Sequence, residues 1–118
     1  MAILQPVETP RPALRPAAAL FRSLADPARL AIVRQLARGP ARVVDLTEPL
    51  GLAQSTVSKH LACLRDCHLV TVRPQGRASV YSLAQPALLD LLSSAETLLE
   101  ATGNAVALCP VYGEEANQ

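Results

Sequence analysis

The stretch Gln54–Cys67, QSTVSKHLACLRDC, constrains the chain more than any other. Val57, Leu61 and Leu64 recur at the i, i+4, i+7 spacing that lines one side of a helix. With that stripe at zero and about 100° per residue, Ser58 and Lys59 fall roughly 100–200° away, on a side shared with Gln54 and Ser55. Cys63 and Cys67 fall at roughly 240–280°. Being four residues apart, they stack on one face about one turn from each other. The helix therefore has a packing face, a polar face and a thiol face. Amides, hydroxyls and a lysine suit the reading of DNA, and paired thiols suit a chemical sensor.

The flanking residues place this helix in a motif. Val43–Leu50 reads as a short helix with Val43, Val44, Leu46 and Leu50 apolar, and Gly51-Leu52 is a tight turn. Two helices joined by such a turn make a helix-turn-helix. Upstream, Asp26-Pro27 starts a helix, with Asp as N-cap and Pro at the first helical position. Leu30, Ile32, Val33 and Leu36 form its buried side, and Gly39-Pro40 ends it. Before it, Ala17–Leu24 reads as a short apolar helix with Leu20, Phe21 and Leu24 on one face. Residues 1–16 carry four prolines and no periodicity, which predicts a flexible arm.

Downstream the period changes from helix to strand. Leu69–Val72 and Ala78–Ser82 are β-formers around a turn at Pro74–Arg77, the pattern of a hairpin, or wing. Arg73 and Arg77 lie near its tip, placed for phosphate or a minor groove. Pro86 opens a last helix with Leu88, Leu91, Leu92, Leu98 and Leu99 at helical spacing, and Gly103 stops it. That much leucine exceeds what a small winged domain covers, so the terminal helices are expected to form a homodimer interface. Residues 17–103 are thus expected to be a mainly α, α+β winged domain, and residues 104–118 a tail containing Cys109.

Composition narrows the function. Half of the 118 residues are hydrophobic, but the aromatics are only Phe21, Tyr81 and Tyr112, so the core must be Leu, Val and Ala. No apolar run approaches the roughly 18 residues that span a bilayer, and no compact signal block opens the chain. A cytoplasmic protein without a membrane partner is expected. Three cysteines, an odd number, argue for reduced thiols over a disulfide framework. From Phe21 to Tyr81, nine Lys and Arg face four acids, whereas Ser82 onward holds five acids and no Lys or Arg. A basic middle is what phosphate contacts require. No carboxylate pair, Ser/His/Asp grouping or phosphate loop appears, so an enzyme is not expected, nor an organic cofactor.

Three segments, LADPARLAIVRQL (Leu24–Leu36), QSTVSKHLACLRDCHLV (Gln54–Val70) and GRASVYSL (Gly76–Leu83), resemble in order the ArsR/SmtB family of bacterial metal-responsive repressors. The resemblance implies a homodimeric winged helix-turn-helix that binds operator double-stranded DNA and leaves it when an ion binds. Two family ion sites are missing. Arg42–Leu46 contains no Cys-x-Cys, and Asp90 lacks the following His. Cys63 and Cys67 with a tail cysteine are similar to the cadmium- and lead-sensing CmtR subfamily, which implies Cys109 as third ligand, supplied by the partner's tail. Two positions depart from the family: Ala53 stands where Ser or Thr often caps the reading helix, and His68 stands where Gly commonly ends it.

An all-sulfur set selects soft ions. The expected effector is Cd(II) or Pb(II), with As(III) or Zn(II) as alternatives. The same thiols would also serve a redox-sensing repressor, and a lone CxxxC is often just a pair of small buried hydrophobes. Gln54, Ser55, Ser58 and Lys59 are expected to contact DNA together with Arg73 and Arg77. His60, next to Lys59, is expected to touch the DNA backbone or to pack.

Overall fold

A computed structural model describes residues 10–108. A 3-10 turn at Arg11–Leu14 leads into α1 (Arg15–Leu24), followed by α2 (Pro27–Leu36), β1 (Ala41–Arg42), α3 (Val43–Leu50) and α4 (Gln54–Asp66). Then come β2 (Val70–Gln75), β3 (Ala78–Leu83) and α5 (Pro86–Ala101). The core is aliphatic: Ile32, Val33 and Leu36 of α2, Leu46 of α3, Val57, Leu61 and Leu64 of α4, Leu69, Val70, and Leu88 and Leu92 of α5. Among the described residues no helix is long and apolar enough to cross a membrane.

The three strands form an antiparallel sheet in the order β1-β3-β2, with Val72 opposite Tyr81 and Gln75 opposite Ala78. The hairpin is tighter than expected. Pro74 and Gln75 belong to β2, and the loop is only Gly76 and Arg77. Proline is tolerated there because β2 is an edge strand with no further neighbour to receive an N–H. Gly76, at φ +64°, supplies the turn. β1 is too short to show periodicity and was not foreseen.

Three expectations about the terminal helices need correction. Helical structure begins at Arg11, inside the expected arm, because Pro12 and Pro16 sit in opening turns, where a missing N–H costs nothing. Phe21 does not share the buried face of Leu24; it is 57% exposed. Leu88 and Leu92 belong to the protomer's own core, whereas Leu98 is 66% exposed. The apolar excess of α5 thus lies in its last turns alone.

The helix ends flanking the reading helix explain its placement. Asp26 caps α2, accepting from the N–H groups of Ala28 (2.7 Å) and Arg29 (3.2 Å). Asp45, in the first turn of α3, accepts from the Arg42 N–H and, in a two-point grip, from its guanidinium. These hydrogen bonds hold the Asp45 carboxyl down at a pKa of about 2. Gly51, at φ +64°, closes α3, with the Leu52 N–H reaching Thr47 O and the Gly51 N–H reaching Glu48 O. His68, at φ +62°, closes α4 in the same way, with Leu69 N–H to Leu64 O and His68 N–H to Arg65 O. His68 thus takes the left-handed position usually given to glycine. Because a side chain there is strained, we predict that His68→Gly stabilises the fold by about 1 kcal/mol, read as a raised denaturant midpoint at unchanged m-value. A lowered midpoint would show that the His68 side chain contributes more than its backbone strain costs.

Candidate nucleic-acid interface and thiol face

The buried stripe of α4 decides what its other faces meet. Val57, Leu61 and Leu64 have no exposed surface. With that side sealed, Gln54, Ser55, Ser58 and Lys59 are exposed together. Their donors and acceptors lie on the second helix of the helix-turn-helix, the element that such folds present to the major groove. The Ala53 side chain makes no capping hydrogen bond, so the exposed end of α4 keeps free backbone N–H groups. On the wing, Arg73 and Arg77 are exposed near the hairpin loop.

His60 faces elsewhere. It is half-buried, its Nδ1 lies 3.3 Å from Arg29 Nη1, and its Nε2 lies 4.0 Å from Asp26 Oδ1. Of the two roles expected for it, packing is the one the structure displays: the ring lies against the start of α2. Partial burial pushes the Asp26 carboxyl up, but the backbone hydrogen bonds from Ala28 and Arg29, with the nearby Arg29 guanidinium, outweigh it. Asp26 therefore titrates below the ordinary carboxylate value.

Cys63 and Cys67 are both free and half-buried. Cys67 caps α4, its N–H bonded to Cys63 O at 3.2 Å, so the two thiols remain one turn apart. Cys67 Sγ lies 2.7 Å from the hydroxyl of Ser23, a buried residue of α1. Ser23 directs its single hydrogen to Ala19 O at 2.8 Å, which leaves the Cys67 thiol as the donor in that contact. Cys67 is thus turned toward α1. Two soft thiolates fit part of a site for a thiophilic ion. Among the described residues no three His, Cys, Asp or Glu side chains come together, so a third ligand would have to come from outside them. Cys109 lies outside the described residues. The last described stretch before it is held at two points, by Arg34 Nη1 donating to Ala107 O at 2.9 Å and by the Leu108 N–H donating to Glu96.

Ser23, Asp26 and Arg29 are the residues that sequence reasoning missed. Asp26 was legible only as a helix cap, and Ser23 meets Cys67 across 44 residues of chain. No local pattern announces such a contact.

Comparison with known proteins agrees with this geometry. Residues 26–72 match the profile described as "Bacterial regulatory protein, arsR family". A probable mercury resistance operon repressor of Streptomyces lividans is 41% identical over 91 residues, covering 77% of this chain and 71% of its own. The regulator CmtR of Mycobacterium tuberculosis is 46% identical over 67 residues, 57% of each chain. Among solved structures, M. tuberculosis Rv0081 superposes with a TM-score of 0.74 at 33% identity, over 79% of this chain and 94% of its own. The homodimeric winged helix-turn-helix domain Mb0332 of Mycobacterium bovis gives 0.70 at 26% identity, over 81% and 91%. With fold, motif order and identity in agreement, the chain belongs to the ArsR family of bacterial regulatory proteins, DNA-binding transcription regulators and not enzymes.

Proposed function

We propose that this chain is a metal-responsive transcriptional repressor that binds operator double-stranded DNA as a homodimer. A thiophilic ion held by Cys63 and Cys67, with Cys109 of a partner tail as third ligand, releases it. The reading rests on α4, which carries exposed Gln54, Ser55, Ser58 and Lys59 on one side and two half-buried thiols on another. The cytoplasm, where thiols stay reduced, is the compartment that suits such a site.

On this reading Gln54, Ser55 and Ser58 reach base edges, while Lys59, Arg73 and Arg77 hold phosphate or a minor groove. An ion held by these thiolates would supply soft-ligand bonds that favour the released conformation over the DNA-bound one. The rest is done by the chain. On ligation Cys67 would give up its contact with Ser23, freeing α4 from that hold on α1. DNA must then weaken ion binding by the same factor by which the ion weakens DNA binding. Cd(II) and Pb(II) are the proposed effectors, with As(III) and Zn(II) as alternatives. The similarity to a mercury resistance repressor supports adding Hg(II), which two thiolates can hold.

Dimerisation is supported by the apolar surface left open at both ends of the domain, where Leu14 is 51%, Phe21 57% and Leu98 66% exposed. The homodimeric domain of M. bovis, which shares the fold, points the same way. Phe21→Glu with Leu98→Glu should give folded monomers by sedimentation, with operator binding lost; a surviving dimer would exclude this interface. Leu92 is unsuited to such a test because it is a core residue.

For the DNA contacts, Arg77→Ala should weaken binding to all sequences and flatten the dependence of log K on log salt by about one unit. An unchanged slope would remove Arg77 from the phosphate contacts.

For the switch, Cys63→Ser and Cys67→Ser should each bind DNA constitutively, with thiolate-to-metal charge-transfer absorption largely absent. Parent protein should lose operator affinity about 5–150-fold on adding the cognate ion. Cys109→Ser should bind the ion more weakly and release DNA less. If Cys109→Ser titrates and releases as the parent does, the site is a two-thiol helix site.

A further inference from the structure

We propose that Arg29 is the positioning residue of the reading helix, clamping the C-terminal turn of α1 to the middle of α4. The last carbonyls of a helix lack intrahelical donors. Arg29, from the first turn of α2, reaches two of them: its Nε donates to Ser23 O at 2.6 Å, and its Nη2 donates at 3.1 Å to Arg22 O, which also accepts from the Ala25 N–H. The remaining arm of the fork, Nη1, lies 3.3 Å from His60 Nδ1. Arginine has no acceptor, so His60 Nδ1 must receive this bond. The ring hydrogen of neutral His60 is then on Nε2, the nitrogen that faces Asp26 at 4.0 Å.

The geometry has a consequence for DNA reading. His60 is adjacent to Lys59 and two residues from Ser58, so the clamp holds the part of α4 whose opposite side is exposed. One planar group fixes three elements at once, which a lysine's single ammonium cannot do. Ser23, one of the residues Arg29 grips through its carbonyl, is also the residue that meets Cys67 through its hydroxyl. The contact from α1 to the thiol face and the contact from α1 to the reading helix therefore share a single turn of helix. Arg29 acts through His60 and does not touch DNA.

The test uses the full-length chain and a duplex selected by the parent protein from a random pool, so no operator need be known. Arg29→Met should stay folded by circular dichroism and lose affinity about tenfold, the size of one charge-assisted hydrogen bond. The salt slope should be unchanged, because no phosphate contact is lost. His60→Leu should lose as much, while His60→Asn, whose Oδ1 can accept in place of Nδ1, should recover most of the affinity. Arg29→Met with His60→Leu should be no weaker than either alone. In the parent, His60 ring 15N shifts should report the Nε2–H form, and Arg29→Met should shift them toward a mixture. A salt slope lower by one unit in Arg29→Met would make Arg29 a phosphate contact and overturn the proposal. So would additive losses in the double variant, or equal affinity in His60→Leu and His60→Asn. If Arg29→Met fails to fold, the His60 pair decides alone, since both variants leave the α1 carbonyls capped.

Discussion

The sealing of Val57, Leu61 and Leu64 against α2 and α3 is the constraint on which the rest of the structure depends. All three are fully buried, together with Ile32 and Val33 of α2 and, within a per cent, Leu46 of α3. Each such side chain contributes about 1.5–3 kcal/mol relative to exposure, so α4 cannot roll about its axis without large loss. Rotational fixity turns a list of polar and sulfur residues into two defined surfaces. Because a helix repeats every 3.6 residues, fixing one face fixes the azimuth of the others. Gln54, Ser55, Ser58 and Lys59 point outward, and Cys67 lies on the flank that meets Ser23 of α1.

On the proposed function this arrangement puts thiol chemistry and DNA reading on one helix. Under that proposal, thiol ligation needs no relay through a distant helix to disturb the reading face, since α4 bears both. What the helix needs is a reference against which to move, and α1 provides it. Ser23 touches Cys67, and Arg29 ties the carbonyls of Arg22 and Ser23 to His60. Contacts of this kind are strong only while geometry is maintained, because hydrogen bonds weaken steeply with misalignment.

The tail has a counterpart of the same sort. Arg34 and Glu96 hold backbone groups of Ala107 and Leu108 against α2 and α5. Residues entering the tail are thus seated on the folded domain, immediately before Cys109.

Much of the fold could be read from the chain because it is written in local patterns. The helical stripe of α4, the Asp26-Pro27 start of α2, the Gly51 turn and the alternation of the wing each depend on neighbours within a few residues. The three motifs from Leu24 to Leu83 placed the chain in its family for the same reason. The left-handed turn at His68 was legible through the resemblance, since His68 stands where the family commonly has the glycine that ends this helix. What the sequence could not settle was which apolar residues face inward where both sides are apolar. Leu92 and Phe21 were assigned by type, yet Leu92 is core and Phe21 is exposed, because burial depends on what α2 and β3 already cover. The turning of His60 toward Arg29 likewise follows from a partner distant in sequence. Residue identity and spacing determined the elements and the chemistry they carry. Tertiary packing alone decided which of those residues meet, because contacts such as Ser23 with Cys67 join parts of the chain that share no local period.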